Sequence, residues 1–262
     1  MIERKTSREI ARQAEAGAIV ADVLALVRDA ASPGVTTGEL DRIAERSIRS
    51  RGGVPTFKGF RGFPGSICAS PNDMIVHGIP GAYALADGDI LSVDVGVTYK
   101  GFVGDSAVTF PVGAVPEDTI ALLAACQASL RAAIAACQVG GRLSDLGHAC
   151  QGVVEAAGFA VVRDLVGHGV GRRMHEDPQI RNYGRAGEGP ELKEGMVFAI
   201  EPMITAGDHG IRLDADGWSI YTTDGSLAAH FEHTVAITRD GPLVLTLGTG
   251  GASIVDASLG PR

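Results

Sequence analysis

Cysteine is sparse. The four present, Cys68, Cys126, Cys137 and Cys150, form no Cys-x-x-Cys pair and no zinc-finger spacing. A thiolate zinc site is therefore excluded, and the four read as free thiols of a reducing compartment. The last three lie in Ala-rich helical sequence and read as small core residues. Positive charge is also short: 23 Lys and Arg against 31 Asp and Glu give a net charge of −8. That balance argues against a general nucleic-acid footprint, though it is compatible with a local basic patch. No apolar run reaches the length of a membrane span, and the charged opening, Met1 to Ala11, has no secretory apolar core.

What is present is ordinary for a soluble globular protein: 262 residues, 45% apolar and 21% charged, with 36 glycines that suggest many tight turns. No linker composition divides the chain. One domain over 1–248 is expected, followed by a flexible Gly/Ser/Ala-rich tail over 249–262.

Apolar residues from Ser7 to Ala30 recur with a 3.6-residue rhythm, which predicts a long helix. Thr37 opens a second, ending near Arg51-Gly52-Gly53. Pro116 begins a third that runs to about Cys137, and Leu143 to Ala157 forms a fourth. Strands are expected at 66–70, 90–98, 102–106, 159–163, 195–202, 218–222, 230–238 and 243–247, and a loop-rich stretch from Gly167 to Gly187. Helices, strands, two helices, strands: the order suggests two similar halves, each a pair of helices backing part of a sheet.

The most informative stretch runs from Ile90 to Ser106, two apolar strands joined at Tyr99-Lys100-Gly101. A turn centred between Tyr99 and Lys100 sets Asp94 directly opposite Asp105, with Cβ atoms about 4.5–5.5 Å apart. Like charges so placed repel, and one or two divalent cations between them are the simplest remedy. The alternative is that Asp105 belongs to a Gly-Asp-Ser turn and Asp94 pairs with an Arg.

Three more groups stand out. His168 lies between glycines in Gly167-His168-Gly169, where a ligand could approach closely. Glu201 ends the apolar run from Met196. Glu232 sits inside the strand-like Phe231–Ile237. Separate salt bridges would account for each carboxylate alone. Two divalent cations would balance the charge of Asp94, Asp105, Glu201 and Glu232 together. Oxygen-rich ligation with one imidazole favours Mn, Fe or Co without choosing among them.

At this point a resemblance becomes plain. The segments Val76-His77-Gly78-Ile79-Pro80, Val93-Asp94-Val95, Gly104-Asp105-Ser106, Gly167-His168-Gly169-Val170-Gly171, Met174-His175-Glu176, Ile200-Glu201-Pro202, Gly217-Trp218 and Phe231-Glu232-His233-Thr234 resemble those of type I methionine aminopeptidases. The resemblance runs from about Phe57 to Thr238. It implies the α+β pita-bread fold, pseudo-twofold, with a curved antiparallel sheet backed by two pairs of helices. It implies that the chain removes the initiator Met from nascent polypeptides, preferring small second residues, as a cytoplasmic monomer with transient ribosome contact and no membrane or specific nucleic-acid partner.

Residue roles follow from the same resemblance. Asp94 binds one metal, Asp105 and Glu232 bridge two, and His168 and Glu201 bind the second, the ions being two of Co, Mn, Fe, Ni or Zn. Glu201 accepts the proton of the attacking water, His175 supports the scissile carbonyl, and His77 contacts the following amide nitrogen. Phe60, Phe63, Cys68 and Trp218 form the Met pocket, while His233 faces the other side of its strand and is structural. The sequence departs from the commoner pattern at Phe60, Arg61, Phe63, Met174 and Ala228-Ala229-His230. Three other readings stand within the fold. An X-Pro aminopeptidase or prolidase usually carries an extra N-terminal domain, and only about ninety residues precede Asp94. A non-catalytic relative would be expected to lack ligands. A type II enzyme would carry a long helical insertion where the intervals from His175 to Glu201 and from Glu201 to Glu232 are short.

Overall fold

The computed structural model of the chain describes residues 2–258. It opens with α1 (Ser7–Ala30) and α2 (Thr37–Ser50). The rhythm read from sequence buries Ile10, Gly17, Ala21, Leu24 and Val27 on one face of α1. Its cap lies one residue earlier than Ser7. Thr6 accepts the Glu9 N–H, and the Glu9 carboxylate accepts the Thr6 N–H; Thr36 and Glu39 repeat the device on α2.

Then come β1 (Val54–Pro55), β2 (Cys68–Pro71), β3 (Met74–Val76), β4 (Ile90–Tyr99) and β5 (Phe102–Pro111), followed by α3 (Glu117–Ala135) and α4 (Leu143–Ala156). The remainder is β6 (Ala160–Val161), β7 (Gly167–Gly169), β8 (Glu176–Ile180), β9 (Val197–Ile200), β10 (Met203–Thr205), β11 (Ile211–Leu213), β12 (Ile220–Thr222), β13 (Ala228–His230), β14 (His233–Thr238), β15 (Gly241–Val244) and a single turn, α5 (Ile254–Ala257).

In the first half β4 pairs with β5 along one edge and with β1 and β2 along the other. Helix α1 lies on β4 and β5. The approach is close: a Cβ on Gly104 would stand 2.6 Å from the Gly17 amide nitrogen. In the second half α3 and α4 pack together and back the sheets β15-β14-β9-β7-β8 and β13-β10-β6. This is the helix-backed, two-part α+β arrangement expected from the element order.

The halves meet where β5 faces the chain from β13 to β14. Thr109 Oγ1 donates to the His230 carbonyl, Ser106 Oγ to the Glu232 carbonyl, and Thr234 Oγ1 to the Asp105 carbonyl, while the Glu232 N–H donates to Ala107. Each half therefore holds the other's carboxylate-bearing segment.

Several local expectations change. The hairpin turn is Lys100-Gly101, both residues at positive φ (49° and 80°), the two-residue geometry that fits strand twist. Register consequently shifts by two: Asp94 pairs with Ala107, and Asp105 with Gly96. An even shift keeps both carboxylates on one face. His168 lies in β7, not in a loop. Its flanking glycines admit neighbouring strands rather than a ligand, since a Cβ on Gly167 or Gly169 would fall 2.5 Å from the Ala199 carbonyl oxygen or 2.1 Å from that of Asp177. Glu232 falls in the break between β13 and β14 rather than inside one strand.

Helix α3 is, against the sequence expectation, long and apolar enough to cross a membrane by length and composition. Half of it is buried, with Leu122, Leu123, Cys126 and Leu130 in the core, as in the core helix of a globular protein. The tail read as flexible is docked over its described part. Ile254 and Val255 are buried, Arg131 pairs with Asp256, and Thr249 bonds Asp22. Residues 259–262 of that tail lie outside the described residues.

Candidate metal centre and active site

All eleven residues singled out from sequence line one cavity of about 400 Å³. β4 supplies Asp94, β5 Asp105, β7 His168, the residue after β9 Glu201, and the β13–β14 junction Glu232. Asp105, His168 and Glu232 bring ligand atoms within 4.8 Å of one another. His168 Nε2 lies 3.6 Å from Asp105 Oδ2 and 3.4 Å from Glu201 Oε1.

The electrostatics are those of too much negative charge in too little water. Burial raises the Asp94 carboxyl to about 7, against hydrogen bonding to Asp105 and Val95 that lowers it. Burial, then the charges of Asp94 and Glu201, pushes Asp105 well up. Glu201 rises through burial and Asp94, and Glu232 through burial, Asp105, Glu201 and Asp94. Asp94 Oδ1, Asp105 Oδ1 and Glu232 Oε1 are buried without a hydrogen-bond partner. Orphaned buried oxygens are rare in folded proteins and call for an explanation.

His168 completes the argument. Its Nδ1 lies 2.9 Å from the Gly169 carbonyl oxygen, which can only accept, so Nδ1 carries the proton. Burial and the nearby His175 lower its pKa to about 4. At neutral pH Nε2 is therefore a lone pair facing carboxylate oxygens. Acceptor against acceptor is unfavourable unless a proton or a cation lies between them. One imidazole and four carboxylates form a donor set that fits divalent cations.

The remaining groups surround this centre. His175 precedes β8, its ring 4.4 Å from that of His168 and 5.4 Å from that of Phe60. It is presented by a short turn fastened beneath it. Glu176 accepts the N–H groups of Arg172 and Arg173 and is paired with buried Lys5. His77 follows β3 at φ 60°, near Trp218, and burial with the charge of His175 lowers it to about 4. Phe63 meets Trp218 edge to face at 5.1 Å, and both cluster with Phe57, Phe60, Cys68 and Met174. Cys68 is opposite Asp94 in the sheet; burial and that carboxylate push its thiol well above the usual range. His233 points away, its Nδ1 2.7 Å from Thr246 Oγ1.

In the sequence His230 marks only a departure from the commoner pattern and is given no place in the site. His230 is buried, its Nε2 has no hydrogen-bond partner, and that atom stands 3.9 Å from Glu201 Oε2. The available signal was its spacing: residues i and i+2 of extended chain share a face, and His230 precedes Glu232 by two.

Residues 11–239 match the model of metallopeptidase family M24. The chain is 50% identical to a methionine aminopeptidase of Bacillus subtilis over 246 residues, 94% of this chain and 99% of that protein. It is 48% identical to one of Clostridium perfringens over 247 residues, with the same coverage. A solved methionine aminopeptidase from Rickettsia prowazekii superposes with a TM-score of 0.93 at 40% identity, covering 94% of this chain and 100% of that one.

Proposed function

The chain belongs to metallopeptidase family M24, and from that premise we propose that it is a metal-dependent aminopeptidase that removes N-terminal Met from nascent polypeptides. Divalent-metal use comes with the family. The finer reading is two ions, which Asp94, Asp105, His168, Glu201 and Glu232 would hold. The observation that carries it is the grouping of Asp105, His168 and Glu232, with ligand atoms within 4.8 Å of one another, in a site where three carboxylate oxygens are buried without a partner.

When bound, the ions supply Lewis acidity that brings the pKa of a bound water near neutrality and an anchor for a free α-amine. The chain's residues do the rest. Glu201, its carboxyl raised by burial and Asp94, takes the proton of the attacking water. His175 faces the scissile carbonyl oxygen, and neutral His77 hydrogen-bonds the amide nitrogen beyond it and assists its departure. Phe60, Phe63, Cys68 and Trp218 enclose the thioether side chain in an apolar slot. Leu165, Met203 and His230 line the same cavity and would face the second residue, for which a small side chain is preferred. Nascent chains as substrate set the work in the cytoplasm, with the chain acting as a monomer.

Release of Met from Met-Ala-Ser in the presence of added Mn, Fe or Co tests this reading. Cleavage of Ala-Pro-Ser in preference to Met-Ala-Ser would instead favour an X-Pro peptidase. Survival of activity and metal content in Asp94→Asn would overturn the ligand set.

A further inference from the structure

The metal centre and the Met pocket leave the cationic part of the cavity wall without a task. Among the described residues Arg61 is the only Lys or Arg on the cavity wall, and it is exposed. Among the described residues no carboxylate pairs with its guanidinium, which lies 5.4 Å from the centre of the Phe60 ring. Its backbone is held at φ 49° in the 3₁₀ turn Phe60–Gly62, between Gly59 and Gly62, themselves at 88° and 90°. A non-glycine residue in that region is disfavoured, so a turn that fixes an arginine there gives it a defined direction.

The direction is outward from the reacting atoms. His168 meets His175, His175 meets Phe60, and Arg61 covers Phe60. Its charge reaches inward far enough to help lower the pKa of His175, after burial. A peptide whose first side chain fills the Met slot and whose first carbonyl lies at His175 leaves past this stack. Extended chain advances about 3.3–3.6 Å per residue, which brings the third or fourth residue beneath the guanidinium.

We propose that Arg61 is a specificity-determining residue that selects substrates carrying Asp or Glu at the third or fourth position. The proposal rests on the aminopeptidase reading above. An arginine over an aromatic ring is poorly hydrated on one face and presents its planar fork on the other, geometry suited to a carboxylate. Asp164, on the segment leading into β7, also lines the cavity and carries the opposite charge. A charge reversal at Arg61 separates its effect from that of Asp164.

The test compares kcat/KM for Met-Ala-Asp-Ser, Met-Ala-Ser-Asp, Met-Ala-Ser-Ser and Met-Ala-Lys-Ser on the metal-loaded enzyme, with ratios taken within each variant. Wild type should favour an acidic peptide over the Lys peptide by about two- to fivefold, the range of a partly exposed ion pair. The difference should lie in KM and shrink at high salt. Arg61→Gln should bring the ratio to about one, and Arg61→Glu should invert it. An unchanged ratio in Arg61→Gln overturns the proposal, as does a wild-type ratio of one or below. No Met released from Met-Ala-Ser-Ser by wild type sinks the aminopeptidase reading and this proposal with it. Uniform ratios with turnover intact sink the Arg61 proposal alone.

Discussion

Asp94 and Asp105 share a face of the β4–β5 hairpin but are two residues out of step, Asp94 opposite Ala107 and Asp105 opposite Gly96. The offset makes them diagonal neighbours and leaves an oxygen of each without a partner. Their repulsion is relieved by a cation or by a proton, and which of the two is present should be visible in stability.

For the metal-free protein the sign follows from the shifts. The four carboxylates have folded pKa values above their unfolded ones, so their contribution is full at low pH and is lost as pH rises, for Asp94 through about 7. His77, His168 and His230 are lowered to about 4, 4 and 3, so their contribution is full above pH 6.5 and is lost as pH falls. Between about pH 4 and 6.5 the two sets oppose each other; above about pH 6.5 only the carboxylate loss remains, so stability in chelator should fall on the alkaline side by up to ~1.4 kcal/mol per unit for each carboxylate still below its folded pKa. Thermal melts from pH 5 to 9 check this. Excess divalent metal should remove the alkaline fall.

Thr234 joins the halves at the metal centre: its hydroxyl donates to the Asp105 carbonyl and accepts the Asp105 N–H. Thr234→Val should destabilise the protein by ~1–3 kcal/mol, because both groups are buried and would lose a partner. Denaturant unfolding measures it. Metal affinity should fall as well, since Asp105 loses its anchor.

Lys5 and Glu176 are a buried pair beneath the turn that presents His175. Glu176→Ala should cost about 3–5 kcal/mol by stranding the ammonium. In the surviving folded fraction, kcat should fall more than metal occupancy, because His175 moves while the ligands do not. Single-turnover kinetics beside metal analysis separate the two effects.

Trp218 packs edge to face on Phe63 from the tip of the β11–β12 hairpin, where the proposed Met slot lies. Trp218→Ala should raise KM for Met-Ala-Ser about tenfold, one lost apolar wall being worth ~1–3 kcal/mol. A Tm shift should be small, because the residue is only partly buried.

Much of this architecture was legible in the chain. The helices followed from the 3.6-residue rhythm, and Asp94 and Asp105 were placed on one face because strand parity survives an even slip. The register was misplaced because Lys100, a non-glycine, takes up the left-handed conformation that a two-residue turn demands beside Gly101. The glycines around His168 suggested room for a ligand, but the space is filled by the backbones of β8 and β9. Such crowding is tertiary and has no local signature. His230 was noted only as a departure from the commoner pattern, although its alternation with Glu232 in the expected strand 230–238 placed both on one face.

The central claim, a catalytic pair of divalent ions on these five side chains, is tested most directly by anaerobic metal titration with parallel assay of Met release from Met-Ala-Ser. Two equivalents bound per chain, with turnover appearing on loading and both lost in Glu232→Gln, is the predicted result. No release of Met with Mn, Fe, Co, Ni or Zn, or full turnover in Glu232→Gln, would contradict it.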